Sequence, residues 1–166
     1  TPYQVLSSLS YTDTGVLGDP ALNHYYLLRG ACATGFESAD SLRMGEFDFA
    51  LAPGASGANQ KSFFALPLDV STQITNAVSL ANYLGSGVVS VASWNPQTQG
   101  YQFYLPGSGL GVKFATHTGY AYQVTLNASG PSLTSFVGRV PAPGEIRFDL
   151  LGGATCQKNH FSLPLD

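Results

Sequence analysis

Gly119-Tyr120-Ala121-Tyr122-Gln123-Val124-Thr125-Leu126 is the stretch on which the fold turns. Successive side chains of an extended chain point to opposite faces, so Tyr120, Tyr122, Val124 and Leu126 share one side and Ala121, Gln123 and Thr125 the other. An aromatic and aliphatic face opposed to a small polar one describes a strand laid on a core. The same reading gives strands over Val88 to Trp94 and Gly100 to Leu105, joined by the turn-forming Asn95-Pro96-Gln97-Thr98-Gln99-Gly100. Pro106-Gly107-Ser108-Gly109 opens the loop from this pair toward the quoted strand.

Upstream, the last part of the run Ser41-Leu42-Arg43-Met44-Gly45-Glu46-Phe47-Asp48-Phe49-Ala50-Leu51 alternates, with Phe47, Phe49 and Leu51 on one, buried face and Glu46 and Asp48 outward on the wet one. Phe63-Phe64-Ala65-Leu66, within Lys61 to Leu68 and closed by Pro67, is a further apolar strand. Residues 3 to 10 and Asn23 to Cys32 have strand composition, separated by turn chemistry at Asp13 to Gly15 and Gly18-Asp19-Pro20. A single helical stripe follows the Pro67 break, in which Ile74, Ala77, Val78, Ala81 and Leu84 fall at i, i+3, i+4, i+7 and i+10. Ser71 or Thr72 is placed to cap its start and Gly85 its end, giving a helix over about 72 to 84. The fold class is therefore mainly β, with antiparallel β-sandwich-like modules and one short helix.

Composition narrows the function. Of 166 residues only 10% are charged, against about a quarter in an average soluble domain, and 44% are apolar with a net charge of -3. A disordered chain needs the opposite balance. Arg29, Arg43, Lys61, Lys113, Arg139, Arg147 and Lys158 stand singly and make no basic stripe for phosphate, so nucleic acid is excluded as a partner. No apolar run is long enough to span a bilayer as a helix. Low charge with abundant Gly, Ser and Thr points to an extracellular or cell-surface protein. The start at Thr1-Pro2, with no Met and no signal segment, reads as a processed product or a piece of a longer chain.

The run Ser10-Tyr11-Thr12-Asp13-Thr14, then Tyr25-Tyr26-Leu27-Leu28-Arg29-Gly30-Ala31, then Glu37-Ser38 and Ser41, resembles the last three strands of a fibronectin type III domain. The resemblance covers about residues 8 to 45. It implies an aromatic-x-aromatic strand ending in a hydrophobic-Arg-Ala step, and a Glu-Ser-x-x-Ser turn into a final strand. Half a β-sandwich cannot bury both its sheets, so these strands are expected to find their partner elsewhere.

An internal echo sets the remaining boundaries. Gly144-Glu145-Ile146-Arg147-Phe148-Asp149-Leu150, followed by Gln157 to Asp166, resembles Gly45-Glu46-Phe47-Asp48-Phe49 followed by Gln60 to Asp69, and self-similarity marks repeated structural units. Three segments follow: residues 1–45 with partial fibronectin-like strands, 46–130 as a β-rich repeat module with the helix, and 131–166 as the opening strands of a further repeat. The middle module resembles the tandem β-rich repeats of large secreted bacterial proteins, a likeness that implies no enzymatic activity.

Candidate chemistry is sparse. Gly107-Ser108-Gly109-Leu110-Gly111 has neither the spacing nor the following helix of a nucleophile elbow or a dinucleotide loop. His24, His117 and His160 stand alone, without metal-ligand spacing. A glycosidase pair drawn from Glu46, Asp48, Glu145 and Asp149 is conceivable if two repeats lie side by side, but these residues read as outward-facing strand positions. No cofactor, metal ligand or catalytic residue is assigned. Cys32 and Cys156 are disulfide candidates, within one chain or between chains. Closing so long a loop would remove about 4 to 5 kcal/mol of unfolded-state entropy in the chain model. Asn127-Ala128-Ser129 is a glycosylation candidate. Trp94, Tyr101 and Tyr104, on the hairpin with Phe103, are candidates for stacking against a sugar ring.

The expected function is a non-enzymatic extracellular structural protein, a subunit or stalk module of a surface filament. Residues 145 to 166, carrying Phe148, Leu150, Phe161, Leu163 and Leu165, are expected to act as an assembly strand that completes a neighbour's sheet. Distinct donor and acceptor surfaces join copies of the chain, or neighbouring modules of one precursor, head to tail. The alternative is a carbohydrate-binding or adhesive module of a larger secreted protein, with glycans as its partner.

Overall fold

The computed structural model describes residues 4–8, 10–15, 17–153 and 156–161. Its strands are β1 (His24–Tyr26), β2 (Met44–Ala50), β3 (Gln60–Ala65), β4 (Val88–Asn95), β5 (Gly100–Leu105), β6 (Leu110–Gly111), β7 (Ala121–Leu126) and β8 (Leu133–Arg139), with one helix, α1 (Ala77–Leu84), between β3 and β4. They form a smaller sheet in the order β1-β2-β8 and a larger one in the order β3-β7-β4-β5-β6, every pairing antiparallel. The chain is mainly β, as its alternation dictates.

The quoted strand is β7, and its aromatic face is the core face. Tyr122, Val124 and Leu126 are buried and lie opposite Phe64, Ser62 and Gln60 of β3, while Val124 also faces Val91 of β4. From the smaller sheet, Phe47 of β2 and Phe136 of β8 point at the same core as cross-strand partners. Phe136 is fully buried and stacks on Phe64 at 5.5 Å, stacks on Tyr83 of α1 at 5.4 Å and meets Phe49 edge-on at 5.8 Å. One ring therefore touches both sheets and the helix.

The helix begins later than the apolar stripe predicts, at Ala77 rather than near 72, and its cap is Asn76 instead of Ser71 or Thr72. Asn76 Oδ1 accepts from the N–H groups of Val78 and Ser79, while Ser79 Oγ accepts from the Asn76 N–H, which satisfies donors that the first turn leaves open. The preceding residues are held extended, because the Thr75 carbonyl accepts from the Thr116 N–H and the Phe114 carbonyl from the Ala77 N–H. Ile74 is still buried, but from a turn whose N–H bonds back to Val70. Gly85 ends the helix at φ 86°, a left-handed conformation that glycine adopts without strain.

The boundary expected at residue 130 does not divide the structure. β8 lies beyond it and pairs with β2 over seven registered positions, from Met44↔Arg139 to Ala50↔Leu133. Its inward residues Thr134, Phe136 and Gly138 carry only one large apolar side chain, so it lacks the alternation that reveals the other strands. Gly138 is required by contact, since a Cβ there would lie 2.6 Å from the Asp69 carbonyl oxygen.

Residues 27 to 43 continue the β1–β2 pair as a narrow ribbon. Leu28 and Ser41, Gly30 and Ser38, and Cys32 and Phe36 are joined by backbone bonds, and Arg29 bridges Glu37 and Asp40 on its surface. The segment expected to open a second repeat behaves differently from the first copy. Residues 144 to 153 form no strand, whereas the matching residues of β2 are paired on both sides.

Replacing Phe136 with Ala is expected to lower unfolding stability by about 3 to 5 kcal/mol, because the cavity opens where three layers meet. Phe63→Ala, on the solvent side of β3, is expected to change it by no more than about 0.5 kcal/mol. Urea unfolding of the two variants checks the contrast.

Candidate functional site

Each sheet has an outer face, and each is partly covered by one end of the chain. On the smaller sheet the outward row is His24 and Tyr26 of β1, Met44, Glu46 and Asp48 of β2, and Ser135, Val137 and Arg139 of β8. Glu46 and Asp48 were expected to be wet. Instead they are 2% and 7% exposed, because the N-terminal segment lies across them. Asp48 accepts hydrogen bonds from the Gly18 N–H at 2.6 Å and from the Ser135 hydroxyl. Tyr26 donates to Asp13 of the same segment at 2.9 Å.

The two carboxyls differ in their surroundings. Burial opposes the charge of Asp48, but bonds from Ser135 and Gly18 outweigh it and hold this carboxyl below its ordinary range. Neither carboxyl oxygen of Glu46 has a hydrogen-bond partner among the described residues. Burial, followed by the neighbouring Asp48, pushes Glu46 up to about 7. Such a pair holds one proton over a wide pH range, the electronic requirement of an acid and a base set side by side. Among the described residues, the N-terminal segment at Asp13 and Gly18 stands over this pair. The postulated partners Glu145 and Asp149 do not join the pair, for both are exposed on the C-terminal segment.

On the larger sheet the outward row includes Trp94 of β4 opposite Tyr101 of β5, which meet edge-on at 5.2 Å. Here the C-terminal segment is the cover. His160 stacks on Trp94 at 4.6 Å and 11°, and the Lys158 carbonyl accepts from Trp94 Nε1 at 2.7 Å. Gln99 grips the same residue in both directions, its Oε1 accepting from the Lys158 N–H and its Nε2 donating to the Lys158 carbonyl. Gln99 is also the described non-glycine residue with positive φ, at 51°. Phe161 bridges to Tyr120 and packs on Phe148, whose ring in turn packs on Tyr120.

The segment leaves the sandwich beside a groove of about 510 Å³ lined by Asp69, His117, Tyr120, Arg139, Glu145 and Arg147, among others. Arg139 spans it, donating to Asp69 at 2.8 Å and to Glu145 at 2.6 Å, and so fastens the root of the segment to the strand from which it departs. Ser71 and then Arg139 hold the Asp69 carboxyl below its ordinary range, and the Ala142 N–H and then Arg139 do the same for Glu145. These charges were too dispersed in sequence to suggest a cluster.

The sequence-derived candidates are therefore dispersed. Trp94 is half-buried under His160, and Tyr101 remains exposed beside Phe103 at 6.1 Å. Tyr104 is buried in the core opposite Val91 and is removed as a stacking surface, because a strand residue of its parity faces inward. Asn127 Oδ1 accepts from the Ser129 N–H in a tight turn, beside a shallow depression. Cys32 and Cys156 are free and exposed, and Thr34 holds the Cys32 thiol below its usual range. Among the assembly residues, Phe148 is half-buried, Leu150 and Phe161 are exposed, and Leu163 and Leu165 lie outside the described residues. Among the described residues no group of three His, Cys, Asp or Glu side chains could hold a metal ion, and no helix is long and apolar enough to cross a membrane.

Comparison with family models, curated proteins and solved structures gives no match, so geometry alone carries the functional argument. The chain has one tryptophan, which makes the C-terminal cover observable. His160→Ala is expected to shift Trp94 emission to longer wavelength as water reaches the indole, while global unfolding stability moves by less than about 1.5 kcal/mol, the scale of one aromatic pair. Emission spectra and urea unfolding of the same variant check both halves.

Proposed function

We propose that this chain is a non-enzymatic, extracellular structural module that joins end to end with copies of itself by β-strand complementation. The observation that carries the reading is the ribbon after β1, where Leu28 is 70% exposed, Phe36 78% and Leu42 70%. A two-stranded ribbon is marginal in water without a third strand or a packed face, and exposed apolar patches of this kind mark interaction sites. Of the fibronectin-like residues, Leu27 to Ala31, Glu37, Ser38 and Ser41 fall on this ribbon, in keeping with strands that need a second sheet. Arg29, with Glu37 and Asp40, gives it a charged stripe that fixes register without supplying a core. The C-terminal segment suits the donor role, since its described residues are apolar at Phe148, Leu150 and Phe161, belong to no strand and make a single β-bridge, at Phe161.

A glycan-binding reading is favoured by a separate observation. Tyr101 and Phe103 lie side by side on the outer face of β5, both more than a third exposed, which suits a stacked sugar ring. In that reading Phe103 takes the place of the buried Tyr104.

Sedimentation velocity and electron microscopy of the full chain, under reducing conditions, test the structural reading. Concentration-dependent association is expected, with loss of association in the variant carrying Leu28→Asp, Phe36→Asp and Leu42→Asp. A chain that stays monomeric up to its solubility limit, or a variant that associates as well as the parent, overturns it. Binding to a glycan array that is lost in Tyr101→Ala and Phe103→Ala would establish the second reading instead.

A further inference from the structure

Glu46 sits at the centre of the covered outer face of the smaller sheet, and its surroundings contain no compensating charge. On its own strand it neighbours Asp48. Across β1 it faces His24, with Tyr26 two residues along, and His24 makes no hydrogen bond to the carboxyl. Across β8 it faces Val137, with Ser135 and Arg139 on either side, and Arg139 is already engaged by Asp69 and Glu145. From above, the N-terminal segment contributes Asp13, itself bonded to Tyr26, together with Tyr11 and the Gly18 N–H that caps Asp48. The negative charge acting on Glu46 is therefore that of Asp48, while Arg139 on this face is committed elsewhere.

We propose that Glu46 and Asp48 form a proton-operated latch, which holds the N-terminal segment, through Asp13 and Gly18, against the smaller sheet while Glu46 carries a proton and releases it when Glu46 ionises. With the proton present, the buried row bears the single charge of Asp48, which is satisfied by Ser135 and Gly18. Loss of the proton places a second charge beside the first in a region closed to water, and the least costly relief is to admit water by lifting the covering segment. That segment is the movable part, being attached to the sheet at Asp48 and Tyr26 through side chains rather than through a strand ladder.

The direction follows from linkage. Glu46 is raised from 4.5 to about 7 in the closed form, so closure is favoured fully below the ordinary glutamate range and weakens as pH rises toward 7. Asp48 is shifted the other way, so its contribution is present above the ordinary aspartate range and is lost as pH falls further. The latch is thus tightest in mild acid and open above neutrality. The surface it uncovers is a row of carboxyls with Val137 and Leu133 beside it. The device is independent of how the chain assembles.

Amide hydrogen exchange of the full chain, read by mass spectrometry and corrected for intrinsic rates, tests the latch. Protection of residues 10 to 22 is expected to fall about tenfold or more between pH 5 and pH 8, while β4 and β7 keep theirs, and Glu46→Gln is expected to remove the pH dependence. Equal protection at the two pH values, parallel loss in β4 and β7, or unchanged pH dependence in Glu46→Gln overturns the proposal. The unaltered chain supplies a second readout through the carboxyl carbon of Glu46 by NMR. A titration midpoint near 7 supports the latch, and one in the ordinary range near 4.5 removes it.

Discussion

The ring of Phe136 is the contact that the rest of the architecture depends on. It comes from β8, stacks on β3 of the opposite sheet and on α1, and meets β2 edge-on, so removing it unpins three layers at once. Aromatic rings of this size provide most of the burial in a small core and fix orientation as well as area. The ring can reach this position only if β8 lies close against Asp69, which is why Gly138 must have no side chain. The free edge of β8 is closed by the same neighbours, with Tyr83 donating to the Ser135 carbonyl and Asp69 exchanging backbone bonds with Arg139. β8 is thereby central to the core yet protected from pairing with another chain.

Once the inner faces are committed to that core, strand geometry dictates what the outer faces must carry. The smaller sheet is left with a carboxyl row and the larger one with an aromatic row, and neither is suited to bare exposure. The two ends of the chain solve this differently. The N-terminal segment covers the carboxyls and bonds Asp48 from the Gly18 N–H, as Ser135 of β8 does from its hydroxyl, while the buried Glu46 is left with Asp48 as its polar neighbour. The C-terminal segment covers the aromatics with a ring stack and a two-way amide grip on Lys158. Among the described residues, the ribbon beyond β1 keeps Leu28 and Leu42 in water.

Much of the fold was legible because β7 alternates in sequence and β3, β4 and β5 are short apolar or aromatic runs set between Gly, Pro and Asn turns. The helix was legible in register but not in its start, because Asn76 caps better than Ser71 or Thr72 once the chain before it is held straight by Thr116. β8 was hidden because Thr134 and Gly138 occupy core positions where a pattern search expects large apolar residues. The site was less legible still. Alternation correctly put Glu46 and Asp48 opposite Phe47 and Phe49, but a pattern of parity cannot tell a solvated face from one covered by a segment thirty residues upstream. Trp94 and Tyr101 were legible as neighbours on a hairpin, while His160 and Lys158 were joined to them by long-range docking that no local signal encodes.

The internal echo carries the last step. Residues 144 to 150 repeat the composition of β2, yet one copy is a central strand and the other is not a strand at all. Intrinsic preference for the extended state is therefore shared, and the difference lies in what is available to pair with. β2 finds β1 on one side and β8 on the other, whereas the described residues of the second copy pass over a sheet face and make a single backbone bridge, from Phe161 to Tyr120. β-propensity largely expresses cross-strand packing rather than a property of the backbone, and this segment, with strand composition but no ladder, bonds locally, as where Asn159 takes both the N–H and the carbonyl of Leu151. In the second copy Phe148 and Phe161 substitute ring contacts for a ladder, leaving Leu150 in water. A β edge offered by another chain would complete the pairing that its sequence prepares, and the Arg139 bridge to Glu145 would keep the root of the segment in place while its far end changed partners.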